Sequence, residues 1–244
     1  MAQAAESHAD RAAQSGALEI FQNQWDVYQT FLAHDYLSNR TACGVLHRFL
    51  VEDVARPFGI LDLACGDSSN VVGALKATQV ERYRGIDLSE PALEYARCNL
   101  AALPCPVQLD AADFTHALRD QPLTEDIVWI SLSLHHLDTP AKLAFMRHVR
   151  ASLKPGGAFL IYEPTRRDGE DRQQYLERFE VIGRRDWTGL TDTQFAEAMK
   201  HVRDCDLPET ASVWHDLGRD TGFAATTQLY ASPDDLFRLF LYTP

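Results

Sequence analysis

The sequence predicts an α/β protein: a seven-stranded, mostly parallel sheet with helices on both faces, finished by a C-terminal antiparallel hairpin. Three observations carry this. From residue 58 to 162, apolar runs of strand length alternate with helical patterns in units of roughly 20–30 residues, the rhythm of strand–helix–strand crossovers. The fourth strand, 127–132, is apolar without a break from Ile127 to Ile130, as in a strand covered on both sheet faces. Two late apolar runs, 224–230 and 236–242, are separated only by Ser232-Pro233-Asp234-Asp235, so they pair antiparallel.

Each element has its own signal. Residues 1–17 are polar and read as a disordered tail. An N-terminal helical segment follows over 18–56, with Phe21, Trp25, Tyr28, Phe31 and Leu32 on one face. The first strand is 58–63, followed by a polar turn at 65–70 and a helix at 71–77. The second strand, 83–87, ends before Ser89, a good helix N-cap, with Pro91 in the first turn after it. A third strand starts at 107–109, and 127–132 is the fourth. Thr139-Pro140 opens a helix whose Leu143, Met146, Val149 and Leu153 form one stripe. Lys154-Pro155-Gly156-Gly157 is a turn and 158–162 the fifth strand. Residues 164–222 then add a helical cap, with helical patterns at 173–183, 191–203 and 209–221. The middle one opens on the capping-box sequence Thr191-x-x-Gln194. No linker divides residues 18–244, which read as a single domain.

Composition narrows the function. The 244 residues are 45% hydrophobic, enough for a sizeable core. The net charge of −12 repels phosphate backbones, which disfavours nucleic acid as the partner. No apolar run is long enough to span a bilayer and none resembles a secretory signal, so the reading is no membrane partner. Five cysteines, odd in number and never spaced C-x-x-C, fit a reducing cytoplasm better than a disulfide framework or a zinc ribbon.

In an open α/β sheet, ligands sit beyond the carboxyl ends of the strands where the strand order reverses. The first strand ends in Asp62-Leu63-Ala64-Cys65-Gly66-Asp67-Ser68-Ser69-Asn70. Small residues at Ala64 and Gly66 let a ligand approach the backbone. Asp87, about 25 residues on at the end of the second strand, can accept both hydroxyls of a ribose. A dinucleotide pyrophosphate wants three glycines here, and the acids Asp62 and Asp67 would repel it. They tolerate a sulfonium and an ammonium, which points to S-adenosylmethionine over NAD.

On these residues the sequence resembles the class I S-adenosylmethionine-dependent methyltransferases, with their Rossmann-like fold, over roughly residues 58–165 and the final hairpin. Asp62 to Asp67 looks like the family's D-x-G-x-G-x-G loop, with Ala64 and Ser68 at two glycine positions. The resemblance implies that Asp87 holds the ribose and Leu88 packs on the adenine. It implies that Asp113, in Ala112-Asp113-Phe114, reads the adenine amino group, with Asp110 a rival in an alternative register. The block from Ile130 through Ser131 to Leu137 and the turn Leu153 to Gly157 resemble the family's segments around the fourth and fifth strands. Arg40 stands where relatives place a cation on the methionine carboxylate; a plain surface cation is the alternative.

The implied chemistry is methyl transfer to a small-molecule acceptor by in-line displacement, under a roof of the N-terminal helix and the cap. His135, His136, Glu163, His201 and His215 are eligible general bases, and the sequence does not choose among them. No metal is expected, because adjacent histidines rarely face one ion and no Cys or His stands nearby at ligand spacing. Cys65 reads as a buried filler, and Arg166-Arg167 as an ion-paired helix entry. Rival readings are an NAD-dependent oxidoreductase and a non-catalytic adenosyl-binding module.

Overall fold

The computed structural model describes residues 25–54, 56–120 and 124–244. The expected tail at 1–17 and the start of the first helical pattern lie outside the described residues. What reads in sequence as one N-terminal helical segment is two helices, α1 (Trp25–His34) and α2 (Asn39–Glu52). The break is at 35–38, where Asp35 and Ser38 both take the left-handed φ of 53° that ends a helix.

From there the chain alternates: β1 (Phe58–Leu63), α3 (Val71–Leu75), β2 (Val80–Asp87), α4 (Glu90–Leu100), β3 (Val107–Ala111), α5 (Phe114–Asp120), β4 (Glu125–Ser131), α6 (Thr139–Ser152) and β5 (Leu153–Arg166). Ser89 caps α4 by accepting from the Ala92 amide at 3.3 Å. After β5 come α7 (Arg172–Asp186), α8 (Asp192–Cys205), the two-residue β6 (Glu209–Thr210), α9 (Ala211–Asp220), β7 (Ala225–Ala231) and β8 (Phe237–Thr243). Helix α8 carries the expected capping box between Thr191 and Gln194.

The sheet order is β3-β2-β1-β4-β5-β8-β7, the seven strands expected, with β8 antiparallel to both β5 and β7. Two details differ from the sequence reading. The turn at Lys154–Gly157 is a bulge inside a longer β5: pairing with β4 jumps from Leu153 opposite Glu125 to Ala158 opposite Ile127. Gly156 takes φ +72°, and a Cβ on Gly157 would meet the Asp126 carbonyl at 2.8 Å, so only glycine fits there. Residues 209 and 210, expected as helix, form β6 and pair with Thr165 and Arg166 at the end of β5.

Side chains alternate across the central strands, so each face has its own core. Ile60, Trp129 and Leu160 pack with Leu46 and Leu50 of α2 and Leu75 of α3. Leu61, Val128 and Ile161 pack on the other face with Met146 and Val149 of α6 and Trp214 of α9. Every residue of β1 is buried, which explains a sequence with no polar alternation apart from Asp62.

Candidate active site

The path from β1 to β2 runs one way along the sheet and that from β3 to β4 the other, so a crevice opens past the ends of β1 and β4. Three backbone positions in the loop after β1 sit in the left-handed region: Ala64 and Gly66 at φ 52° and Ser68 at 56°. Alanine and serine adopt that conformation only at a cost of about 1 kcal/mol each. Ala64→Gly therefore stabilises the fold by about 1 kcal/mol, read as a higher urea midpoint.

The loop is held by the acids around it. Asp87 Oδ2 accepts the Gly66 amide and Oδ1 the Ser89 amide, both at 2.8 Å. Burial pushes its carboxyl above the ordinary range against those bonds. Two amide bonds leave a carboxylate with acceptor capacity for hydroxyls. Asp62 lies at the crevice floor, where Oδ2 accepts the Tyr83 hydroxyl at 2.6 Å; that hydroxyl also lies 3.0 Å from Ser68 Oγ. Desolvation drives the Asp62 carboxyl up to about 7. Cys65 is buried beside these acids, and burial pushes its thiol up, as a filler requires.

These groups open into a cavity of about 390 Å³, within the range of small-ligand sites. Asp62, Ala64, Gly66, Asp87, Leu88, Phe114 and Ser131 all line it. Asp113 caps α5 instead, its Oδ1 accepting from the Thr115 amide and hydroxyl at 2.8 and 2.7 Å. Asp110 is paired with Arg84 at 2.7 Å on the face of the sheet. Arg40 is in an adjoining groove, its guanidinium donating to the Ala33 carbonyl at 3.1 Å and 3.7 Å from Asp35. Arg167 is ion-paired as expected, with Asp235 at 2.7 Å, whereas Arg166 ends β5 instead of entering a helix and donates to the Pro208 carbonyl at 2.7 Å. The roof comes from both expected segments, with Phe31 of α1 edge-on to Trp187 at 4.8 Å and Phe179 of α7 packed on the same indole.

The eligible bases divide. His215 is exposed on α9, against Phe240. Glu163 is fully buried in β5 and accepts the amides of Ser133, Leu134 and His135 at 3.0–3.3 Å. Its Oε2 also lies 2.7 Å from His135 Nδ1, and burial lifts its carboxyl to about 7. Glu163 thus orients the turn after β4. His135, His136 and His201 line the cavity.

The sequence argument has adjacent histidines facing apart, with no ligand nearby; here the structure differs. Leu134–His136 is a single 3-10 turn, tight enough to aim both rings at one carboxylate. His135 Nε2 and His136 Nδ1 lie 3.6 and 3.7 Å from Asp206 Oδ1, and His201 Nε2 lies 3.9 Å from it. Asp206 carries no local sequence signal, since it follows α8 some 70 residues from the paired histidines. Its segment is fixed from both sides. Leu207 N donates to the His135 carbonyl at 2.7 Å, and the fully buried Lys142 donates to the Leu207 carbonyl at 2.5 Å and Glu209 at 2.9 Å. Lys142→Met strips a buried carboxylate of its cation and lowers unfolding stability by about 3 kcal/mol, measured as a shift in the urea midpoint.

Residues 60–157 match a family model described as a methyltransferase domain. No curated protein matches the sequence. Among solved structures, the chain is similar to magnesium protoporphyrin IX methyltransferase from Synechocystis PCC 6803 with bound S-adenosylhomocysteine. The identity is 16% and the TM-score 0.65, over 95% of this chain and 100% of that one. It is also similar to an O-methyltransferase family protein from Burkholderia thailandensis (20%, TM-score 0.61, 83% and 55%). A third is the S-adenosylmethionine-dependent methyltransferase SibL in its apo form (19%, TM-score 0.59, 87% and 57%). The chain thus spans little more than half the length of the last two. Residues 60–157 therefore match a methyltransferase-domain model, and the chain as a whole has the fold of the S-adenosylmethionine-dependent methyltransferases it is similar to.

Proposed function

We propose that the chain transfers the methyl group of S-adenosylmethionine to a small-molecule acceptor. The observation that carries this is the cavity itself, with Asp87 at its wall and the left-handed loop at 64–68 bringing bare backbone to its edge. The donor set fits the group. Acidic side chains at 62, 67 and 87 suit an adenosyl ligand bearing cationic centres, and no Lys or Arg among the described cavity-lining residues offers a diphosphate a counter-charge. When bound, the sulfonium supplies an already activated methyl carbon.

The chain's own residues do the rest. Asp87 holds the ribose hydroxyls while Leu88 and Phe114 flank the base. For the adenine edge the reading takes Asp113, just past the end of β3, over Asp110, which is paired with Arg84. The aromatic roof of Phe31, Phe179 and Trp187 excludes water and favours an acceptor with an apolar or aromatic body. Orientation of such an acceptor against the methyl carbon is worth roughly 7–11 kcal/mol of barrier. His201 stands in the cavity with burial holding it below the ordinary histidine range, so it can take an acceptor proton.

Isothermal titration with S-adenosylhomocysteine tests the reading. Saturable one-to-one binding is expected, with no heat from NAD; no binding at millimolar ligand rejects it. Turnover against a panel of small aromatic acceptors distinguishes an enzyme from a binding module.

A further inference from the structure

We propose that His135, His136 and Asp206 form a binding site for a divalent transition-metal ion inside this cavity, with His201 beside it. The ligand atoms His135 Nε2, His136 Nδ1 and Asp206 Oδ1 all lie within 4.8 Å of one another. The separations of 3.6 and 3.7 Å to Asp206 Oδ1 are too long for hydrogen bonds, which fall at 2.7–3.2 Å. They match the spread of donors around a tetrahedral ion, where bonds of about 2.0–2.1 Å set neighbours roughly 3.4 Å apart.

The polar accounting agrees. His136 Nδ1 and Asp206 Oδ1 are buried with no hydrogen-bond partner, and Asp206 is only 5% exposed. Groups left in that state cost stability unless something binds them. The surroundings are those of a built site. Glu163 holds His135 Nδ1, which fixes the ring and leaves the Nε2 lone pair facing Asp206, the carboxylate–histidine–metal arrangement. Arg172 Nε donates to the Asp206 carbonyl at 2.7 Å, and the Leu207–His135 backbone bond ties the two ligand segments together.

Two imidazoles and one carboxylate select borderline ions such as zinc or iron(II) over magnesium and calcium, which prefer all-oxygen shells. Because the ligands line the same cavity as Asp87, the open coordination position faces the enclosed space. On the methyl-transfer reading, that position binds the oxygen or sulfur of the acceptor and lowers its pKa, so its proton passes to water; the anion then bonds to the methyl carbon as the methyl–sulfonium bond breaks, leaving S-adenosylhomocysteine.

The test uses the untagged full chain, stripped with chelator and titrated with cobalt(II). One equivalent is expected to bind, with visible d–d absorption of a low-coordinate nitrogen/oxygen site. Asp206→Asn and His136→Ala each weaken binding at least 100-fold, and Glu163→Gln weakens it 10–100-fold. Circular dichroism and the S-adenosylhomocysteine titration show whether each variant is folded. Absence of saturable cobalt binding to the parent chain overturns the proposal. So does binding that folded Asp206→Asn and His136→Ala variants retain. The two readings fail separately: cobalt bound without S-adenosylhomocysteine sinks methyl transfer and keeps the metal site, and the reverse result does the opposite.

Discussion

Asp87→Ala is expected to bind S-adenosylhomocysteine 10²–10³-fold more weakly than the parent chain in calorimetric titration. A carboxylate that accepts two ribose hydroxyls contributes about 1.5–3 kcal/mol per bond, and loss of both amounts to roughly 4 kcal/mol. The variant also frees the Gly66 and Ser89 amides that Asp87 ties down, so the loop after β1 loosens as the ribose contact goes. Asp87→Asn separates the two effects. The amide oxygen can still accept from one backbone amide, and the charge-assisted contact is gone, so about 10–100-fold is expected. An affinity unchanged in both variants would place the ligand elsewhere.

Asp62→Asn changes how stability depends on pH. The buried Asp62 carboxyl sits at about 7, against an ordinary value of 3.8 that the unfolded chain restores. An acid raised in the folded state binds more protons there than in the unfolded state. Its contribution is therefore present in full below pH 3.8 and is lost as pH climbs through about 7. Three pKa units correspond to roughly 4 kcal/mol. Glu163, also lifted to about 7, adds a loss of the same sign in both proteins, so urea melts at pH 5 and pH 8 should differ more in the parent chain than in Asp62→Asn, the excess being a large part of that figure. Equal slopes in the two proteins would mean that Asp62 meets water in the fold.

Much of this architecture was legible because the signals were local. Largely apolar runs gave β1 and β4, Ser89 and Thr191 gave helix starts, and Ser232 to Asp235 gave the hairpin. Asp87 was legible from its place at a strand end. The break between α1 and α2 was not, because left-handed residues there are Asp and Ser where a glycine would have flagged the turn. Strand β6 escaped because two residues paired to a distant strand have no periodicity. The His135–His136–Asp206 cluster escaped for the same reason at larger scale: the histidines were visible, and the acid that makes them converge arrives from a separate helix. Tyr83 and Lys142 were equally silent, since a buried tyrosine or lysine declares its partner only in three dimensions.

The two margins of the cap are fastened very differently. At one, Lys142 is sunk between Glu209 and the Leu207 carbonyl, and the backbone is stitched to His135. At the other, among the described residues, α1 and the turn after it meet the cap through ring contacts, and the Gly189 amide donates to the Tyr36 hydroxyl. Prising up the first margin strands charge away from water, whereas parting the second exposes little more than aromatic edges. On the methyl-transfer reading, parting the fold beside α1 therefore costs less than lifting the margin that carries Asp206.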